Sequence, residues 1–116
     1  MIDPQRGEVW RVDLDPTRGS EQAKTRPVIV MNESGVGRAS VRVCVPLTNW
    51  QPAHAAMFWC WPISPGENGL TKESSADASQ VRALDVARFV ERLGVLAGDD
   101  VEAVAEAIAL TVGFEP

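Results

Sequence analysis

Pro27-Val28-Ile29-Val30-Met31 and Val41-Arg42-Val43-Cys44-Val45-Pro46-Leu47-Thr48, joined by the stretch from Asn32 to Ser40, decide the fold class. The first is a continuous apolar run and the second alternates, so both read as β-strands, and Gly35 and Gly37 supply the turn between them. On the N-terminal side, Glu8-Val9-Trp10-Arg11-Val12-Asp13-Leu14 places Trp10, Val12 and Leu14 on one face, the period of a half-buried strand. It ends at Asp15-Pro16, where proline removes a ladder donor. The polar stretch from Thr17 to Arg26 contains Gly19 and is a loop of about ten residues, longer than a tight turn needs and therefore a candidate functional loop.

On the C-terminal side, Ala56-Met57-Phe58-Trp59-Cys60-Trp61 reads as a strand stopped by Pro62 and Pro65, followed by the loop Gly66-Glu67-Asn68-Gly69. Ser74 to Asp85 supports either helix, through its alanines, or a short strand at Gln80-Val81-Arg82-Ala83-Leu84. Phe89 to Leu96 reads as a strand or a turn of helix, broken by Gly98. The last segment is a helix: Asp99 is placed as N-cap with Glu102 three residues on, and Val101, Val104, Ala105, Ile108 and Val112 follow at helical spacing. The expected fold is mainly β with a C-terminal helix, a small SH3-like, partly open antiparallel barrel formed by a single domain over residues 1–116.

Composition agrees. At 116 residues with 45% hydrophobic and 23% charged, the chain fills one modest core, and two-domain designs are excluded. Nothing approaches the ~20 apolar residues of a membrane span, and the N-terminus lacks the apolar core of a signal peptide, so the expectation is a soluble cytoplasmic protein without membrane contact. Cys44 and Cys60 stand apart in apolar surroundings and match no CxxC pattern, which reads as reduced core thiols. The net charge of −5 conceals an asymmetry: residues 1–50 carry seven basic groups against six acidic, and residues 51–116 carry four against ten. An anionic ligand would be met mainly by the first half and a basic partner by the second; an ordinary solvated surface fits the same charges.

Several chemistries lack their residues. His54 is the only histidine, so paired-imidazole catalysis and zinc sites with two or more His are excluded. Gly35-Val36-Gly37 lacks the ending of a phosphate loop and precedes a strand. Asp13-Leu14-Asp15 spaces two carboxylates as a magnesium site would, but Asp13 falls on the solvent face and Asp15 suits the turn before Pro16, so no metal is expected.

What is present is concentrated in Arg18-Gly19-Ser20-Glu21-Gln22-Ala23-Lys24-Thr25-Arg26-Pro27, with three cations, one carboxylate and several hydrogen-bonding side chains. A guanidinium fork matches phosphate oxygens bidentately, and Pro27 fixes the backbone beside Arg26. The competing reading pairs Arg26 with Glu21. Trp50, Phe58, Trp59 and Trp61 cluster further on, and aromatic faces stack unpaired bases. Trp59 and Trp61, on one face of an alternating strand, suit core or dimer burial, whereas Trp50 and His54 lie in a loop and are the better candidate base contacts.

These residues resemble a known family. Arg6-Gly7-Glu8-Val9-Trp10, Asp13-Leu14-Asp15-Pro16-Thr17-Arg18-Gly19-Ser20-Glu21-Gln22, Thr25-Arg26-Pro27-Val28-Ile29-Val30 and Val45-Pro46-Leu47-Thr48-Asn49 are similar, in order and spacing, to the MazF/PemK toxin endoribonucleases. Asp77 to Asp85 and Arg88-Phe89 resemble that family's C-terminal half. The resemblance implies a CcdB/PemK-type barrel, a homodimer, sequence-selective cleavage of single-stranded RNA without cofactor, and neutralisation by a small, acidic, MazE-like antitoxin. Residue by residue, the family's catalytic arginine falls on Arg26 and its threonine on Thr48. Its substrate-contacting serine, glutamate and glutamine fall on Ser20, Glu21 and Gln22, and a later contact on Gln80. Arg18, Lys24 and Asn49 flank these positions and are expected RNA contacts. The chain departs at Ala23-Lys24, where many members have glycine, and matches least from Asn49 to Ala55, where base preference is set.

The chemistry follows from the residue types as well. A metal-free ribonuclease with one His can use the substrate's 2′-hydroxyl as nucleophile, leaving a 2′,3′-cyclic phosphate and a 5′-hydroxyl. Catalysis then rests on stabilising a pentacoordinate phosphorane, which a guanidinium at Arg26 and a hydroxyl at Thr48 supply. Arginine stays protonated at neutral pH, so Glu21 is the better base candidate. Two other functions compete: a CcdB-like gyrase poison and a non-catalytic SH3-like interaction module. The first is associated with a tryptophan in the C-terminal tip, and this chain has none after Trp61.

Overall fold

A computed structural model of the chain describes residues 2–14 and 24–115. These form strands β1 (Glu8–Asp13), β2 (Thr25–Val30), β3 (Val41–Asn49), β4 (Cys60–Ile63), β5 (Ser74–Asp77), β6 (Arg82–Asp85) and β7 (Phe89–Val95), then helix α1 (Gly98–Thr111). Short 3₁₀ turns lie at Pro52–Ala56, Ala78–Gln80 and Val86–Arg88. Neighbouring strands run β4-β5-β3-β2-β1-β7 and β6 adds to β3, every pair antiparallel.

β2 reads as an unbroken apolar run because both of its faces are covered. On one side, Val9, Ile29, Val45, Leu47 and Ala76 form a cluster that α1 covers with Val101 and Val104. On the other, Trp10, Val12, Leu14, Val28, Val30 and Cys44 pack with Leu84 of β6 and Phe89 of β7. The Trp10 and Phe89 rings meet edge to face, 5.6 Å between centroids. β6 lines one edge of the β3-β2-β1 layer and β7 the other, and the Val86–Arg88 turn joins them. The second cluster therefore sits inside a curl, the SH3-like, partly open barrel expected. β5 and β4 extend the sheet beyond it.

The sheet does not close, yet its two ends touch. The loop after β4 crosses to β7, where Val95 N–H donates to the Glu67 carbonyl at 3.0 Å. A methyl group at Gly94 would collide with that carbonyl, and one at Gly69, whose φ is +78°, with the carbonyl of Leu93. Buried Asn68 holds the loop's shape, donating to the Ser64 carbonyl at 2.9 Å and accepting from Leu70 N–H at 2.9 Å.

Three sequence expectations are corrected. The strand expected at Ala56–Trp61 begins only at Cys60 and continues through Pro62, because β4 ends the strand order and pairs on one side only, where a missing N–H is tolerated. Since Trp59 precedes that strand, its alternation with Trp61 is lost. Trp61 is exposed, with its indole N–H on Asp100 Oδ1 at 3.0 Å, and Trp59 is half-buried, so neither is a core residue of this chain. The helix starts two residues earlier than expected, with Ala97 as N-cap, and Asp99 lies in the first turn beside Asp100, where a negative charge meets the helix dipole. Val101, Val104 and Ala107 are buried as the spacing predicts, whereas Val112 caps the C-terminus and is 73% exposed. The segment that read as either helix or strand is both strand and turn: β5, the 3₁₀ turn Ala78–Gln80, then β6. Cys44 and Cys60 are free and buried. Among the described residues, no helix is long and apolar enough to cross a membrane.

Candidate nucleic-acid interface

Along β3 the outer partner changes. β6 pairs with Val41 to Cys44 and β5 with Leu47 to Asn49, so beyond Cys44 the inside of the curl loses its β6 wall and opens. β2 pairs with β3 through Val28↔Pro46, and Pro27 has no N–H to continue the ladder. Carrying that register two residues further brings Arg26 level with Thr48. Alternation puts Arg26 on the side of Val28 and Val30, and Thr48 on the side of Cys44, which is the inner face in both cases. Arg26 is exposed and Thr48 half-buried, and neither side chain has a hydrogen-bond or ion-pair partner among the described residues. No described carboxylate neutralises Arg26, and Glu21, the acid considered for that pairing, lies outside the described residues.

Arg18, Ser20 and Gln22 also lie outside them. The ends of their loop are fixed: Leu14 N–H donates to the Lys24 carbonyl at 2.9 Å, and Asp13 pairs with Thr25. The loop therefore leaves and returns at the Arg26 end. Lys24 is exposed and holds a φ of +66°, the left-handed region that favours glycine. Asn49 is exposed at the end of β3, and Trp50 follows with its N–H on the Glu73 carbonyl at 3.1 Å. The Trp50 ring meets His54 edge to face at 5.4 Å. His54 Nδ1 accepts from Gln51 N–H at 3.1 Å, which leaves Nε2 as the protonated nitrogen of the neutral ring. Beside Trp50 an apolar hollow of about 370 Å³ is lined by Met57, Phe58, Trp61 and Pro62. Gln80 is half-buried in the Ala78–Gln80 turn, capped by Asp77 and packed against β3 and α1.

Lys24, Arg26, Thr48 and Asn49 thus share one end of the barrel, with Trp50 and His54 continuing from it. One cation at this end escaped the sequence reading. Arg88 donates from Nη1 to the Asp13 carbonyl at 3.1 Å, one strand position from the Val12↔Arg26 pair. Its local signal was weak, an Asp85-capped turn between two short strands. A larger cavity of about 710 Å³ lies at the opposite end of β2 and β3, between the N-terminal segment and the Asn32–Ser40 hairpin. Among the described residues, no group of three His, Cys, Asp or Glu side chains could hold a metal ion.

The local electrostatics are simple. Burial pushes the Cys44 thiol up from 9.0 to about 12 against the influence of Arg42 and Arg82. Burial also raises the Cys60 thiol. Burial works to raise Glu8, but hydrogen bonds from the Trp10 indole, the Gln5 amide and Arg92 outweigh it and hold the carboxyl below its usual range.

Comparison with known proteins converges on one group. The family model for the PemK-like, MazF-like toxin of type II toxin-antitoxin systems matches residues 5–112. Endoribonuclease MazF9 of Mycobacterium tuberculosis is 28% identical over 110 residues, covering 91% of this chain and 93% of that protein. Among solved structures, MazF from Deinococcus radiodurans is similar with a TM-score of 0.79 and 21% identity, over 98% of this chain and 100% of that one. An endoribonuclease in complex with its cognate antitoxin from a Mycobacterial species aligns with a TM-score of 0.75 and 20% identity, over 97% and 98%. At such identities the structures establish the shared fold, and the family model spans nearly the whole length, so the chain belongs to the PemK-like, MazF-like toxins of type II toxin-antitoxin systems.

Proposed function

We propose that the chain is a homodimeric, metal-independent endoribonuclease acting on single-stranded mRNA in the cytoplasm and held in check by a small acidic antitoxin. The observation that carries this reading is the pair Arg26 and Thr48, level with each other on adjacent strands, on one face, at the open end of the barrel and without partners among the described residues. A guanidinium and a hydroxyl that the described residues leave unengaged suit a dianionic phosphorane better than they suit a folded surface. The substrate's 2′-hydroxyl attacks the adjacent phosphorus and the 5′-oxygen leaves, giving 2′,3′-cyclic phosphate and 5′-hydroxyl ends. Arg26 binds the charge that develops on the equatorial oxygens, Thr48 donates one hydrogen bond to them, and Glu21 accepts the 2′-hydroxyl proton.

Arg18, Ser20, Gln22 and Lys24 bind the RNA, and Asn49, Trp50, His54 and Gln80 contact the bases. The hollow beside Trp50 offers an apolar surface to a splayed base. The Mycobacterial endoribonuclease in complex with its cognate antitoxin supports an antitoxin partner for this chain, and Arg18, Lys24 and Arg26 suit an acidic peptide that competes with RNA. Incubation with a long RNA in excess EDTA, followed by mapping of the cut ends, tests the reading. Cleavage with cyclic-phosphate ends is expected. Strict magnesium dependence would overturn it and return attention to Asp13 and Asp15.

A further inference from the structure

Ser75 stands directly across from Thr48 in the β3–β5 ladder. It is 0% exposed, and among the described residues its hydroxyl makes no hydrogen bond of good geometry, its one polar neighbour being the Cys60 thiol, towards which it acts as a donor. Buried hydroxyls almost always find good partners, and alanine would fill this position with only the oxygen removed, so a hydroxyl served by nothing better than a thiol asks for a reason. Paired residues on one face of an antiparallel ladder have Cβ atoms about 5 Å apart, so a χ1 rotation of either side chain brings the two hydroxyls into hydrogen-bond range. Thr48 has no side-chain partner among the described residues either. On the other side of Ser75 lies β4, which pairs Pro62 with Ser75 and Cys60 with Asp77, so the Cys60 thiol is Ser75's diagonal neighbour on the same face.

Resting on the role proposed for Thr48, we propose that Ser75 is a positioning residue for cleavage: its hydroxyl donates to Thr48 Oγ1 and so aims the Thr48 proton at the scissile phosphate. A donor that is itself accepting a hydrogen bond is a stronger donor, so the chain Ser75 to Thr48 to phosphate strengthens at its last link, where charge develops in the transition state. Because Ser75 never meets solvent, it acts on RNA only through Thr48.

The test is a double-mutant cycle on the full chain, with Ser75→Ala, Thr48→Val and the double variant assayed by single-turnover cleavage of a fluorogenic RNA carrying the mapped wild-type cut site. Ser75→Ala is expected to lower the single-turnover rate about tenfold, with unchanged half-saturation by RNA and an unchanged or higher Tm. In the Thr48→Val background the same change should alter the rate less than twofold. Ser75→Cys, which keeps a weak donor and nearly the same shape, should fall between wild type and alanine and serves if the alanine variant does not fold. A wild-type rate for Ser75→Ala, or equal losses in both backgrounds, overturns the inference and leaves Thr48 in place. A wild-type rate for Thr48→Val overturns the site assignment itself.

Discussion

Arg42 and Arg26 sit on neighbouring strands at opposite ends of the sheet, and they are used in opposite ways. The Arg42 side chain is 13% exposed, and its guanidinium serves its own backbone, donating to the carbonyls of Pro4 at 2.8 Å and Ala39 at 2.7 Å and to Asp3 Oδ1 at 2.9 Å. It fastens the N-terminal segment to the hairpin. Arg26 is exposed and binds no described group. The described residues accept four hydrogen bonds from the fork of Arg42 and none from that of Arg26. That the described residues complete one arginine and leave the other open marks which end of the sheet faces a ligand.

The largest effect that would break this contrast comes from Arg26→Ala. It should reduce cleavage by about a hundredfold to a thousandfold, as loss of a preorganised donor does, while Tm stays near wild type. A folded variant cutting at the wild-type rate would mean the open end is not the site. Thr48→Val keeps the shape and removes one hydrogen bond to a charged group, for a loss of about tenfold to a hundredfold. Arg42→Ala should do the reverse: a stability loss of about 2 kcal/mol in urea, with the rate per folded molecule unchanged. A slower enzyme at full stability would erase the distinction between the two arginines.

The smallest effect is on pH. Cys44 titrates near 9.0 in the unfolded chain and near 12 when folded, so above pH 9 the unfolded state releases a proton that the folded state retains. Stability conferred by Cys44 is therefore complete below pH 9 and falls as pH rises, by about 1.4 kcal/mol at pH 10. Urea titrations at pH 8 and pH 10 should show that loss in wild type and a flatter profile in Cys44→Ala. Equal slopes in both would place the alkaline sensitivity elsewhere.

Local pattern made the barrel legible where each strand has covered faces and a clear turn. The alternation of Val41 to Thr48 and the glycines of Asn32–Ser40 were sufficient for the central hairpin. It failed for β4, because a proline that terminates a central strand is harmless in one paired on a single side, and that depends on the whole strand order. It failed for the N-cap because Leu96, held by its N–H on the Gly7 carbonyl at 2.8 Å, sets where the helix can begin. At the site, the residue types were readable but their meeting was not. Arg26 and Thr48 are brought level by a register running through Val28 and Pro46, a long-range pairing that no window of sequence contains. Ser75 was invisible for the same reason: in the sequence it is one serine of two, and only the ladder sets it against Thr48.

The close approach of the Glu67–Gly69 loop to Leu93 and Gly94 bears on where this chain can be altered. Two loops rich in glycine look alike in the sequence, but they are unlike as attachment points. At Gly35 and Gly37 an added side chain would meet nothing within 4 Å, so a fluorophore, an affinity tag or a short inserted peptide near the hairpin tip would be carried in open solvent. Cargo placed at Glu67 to Gly69 would instead wedge apart a stretch where the two ends of the described sheet touch, and the curl would spring open along that line.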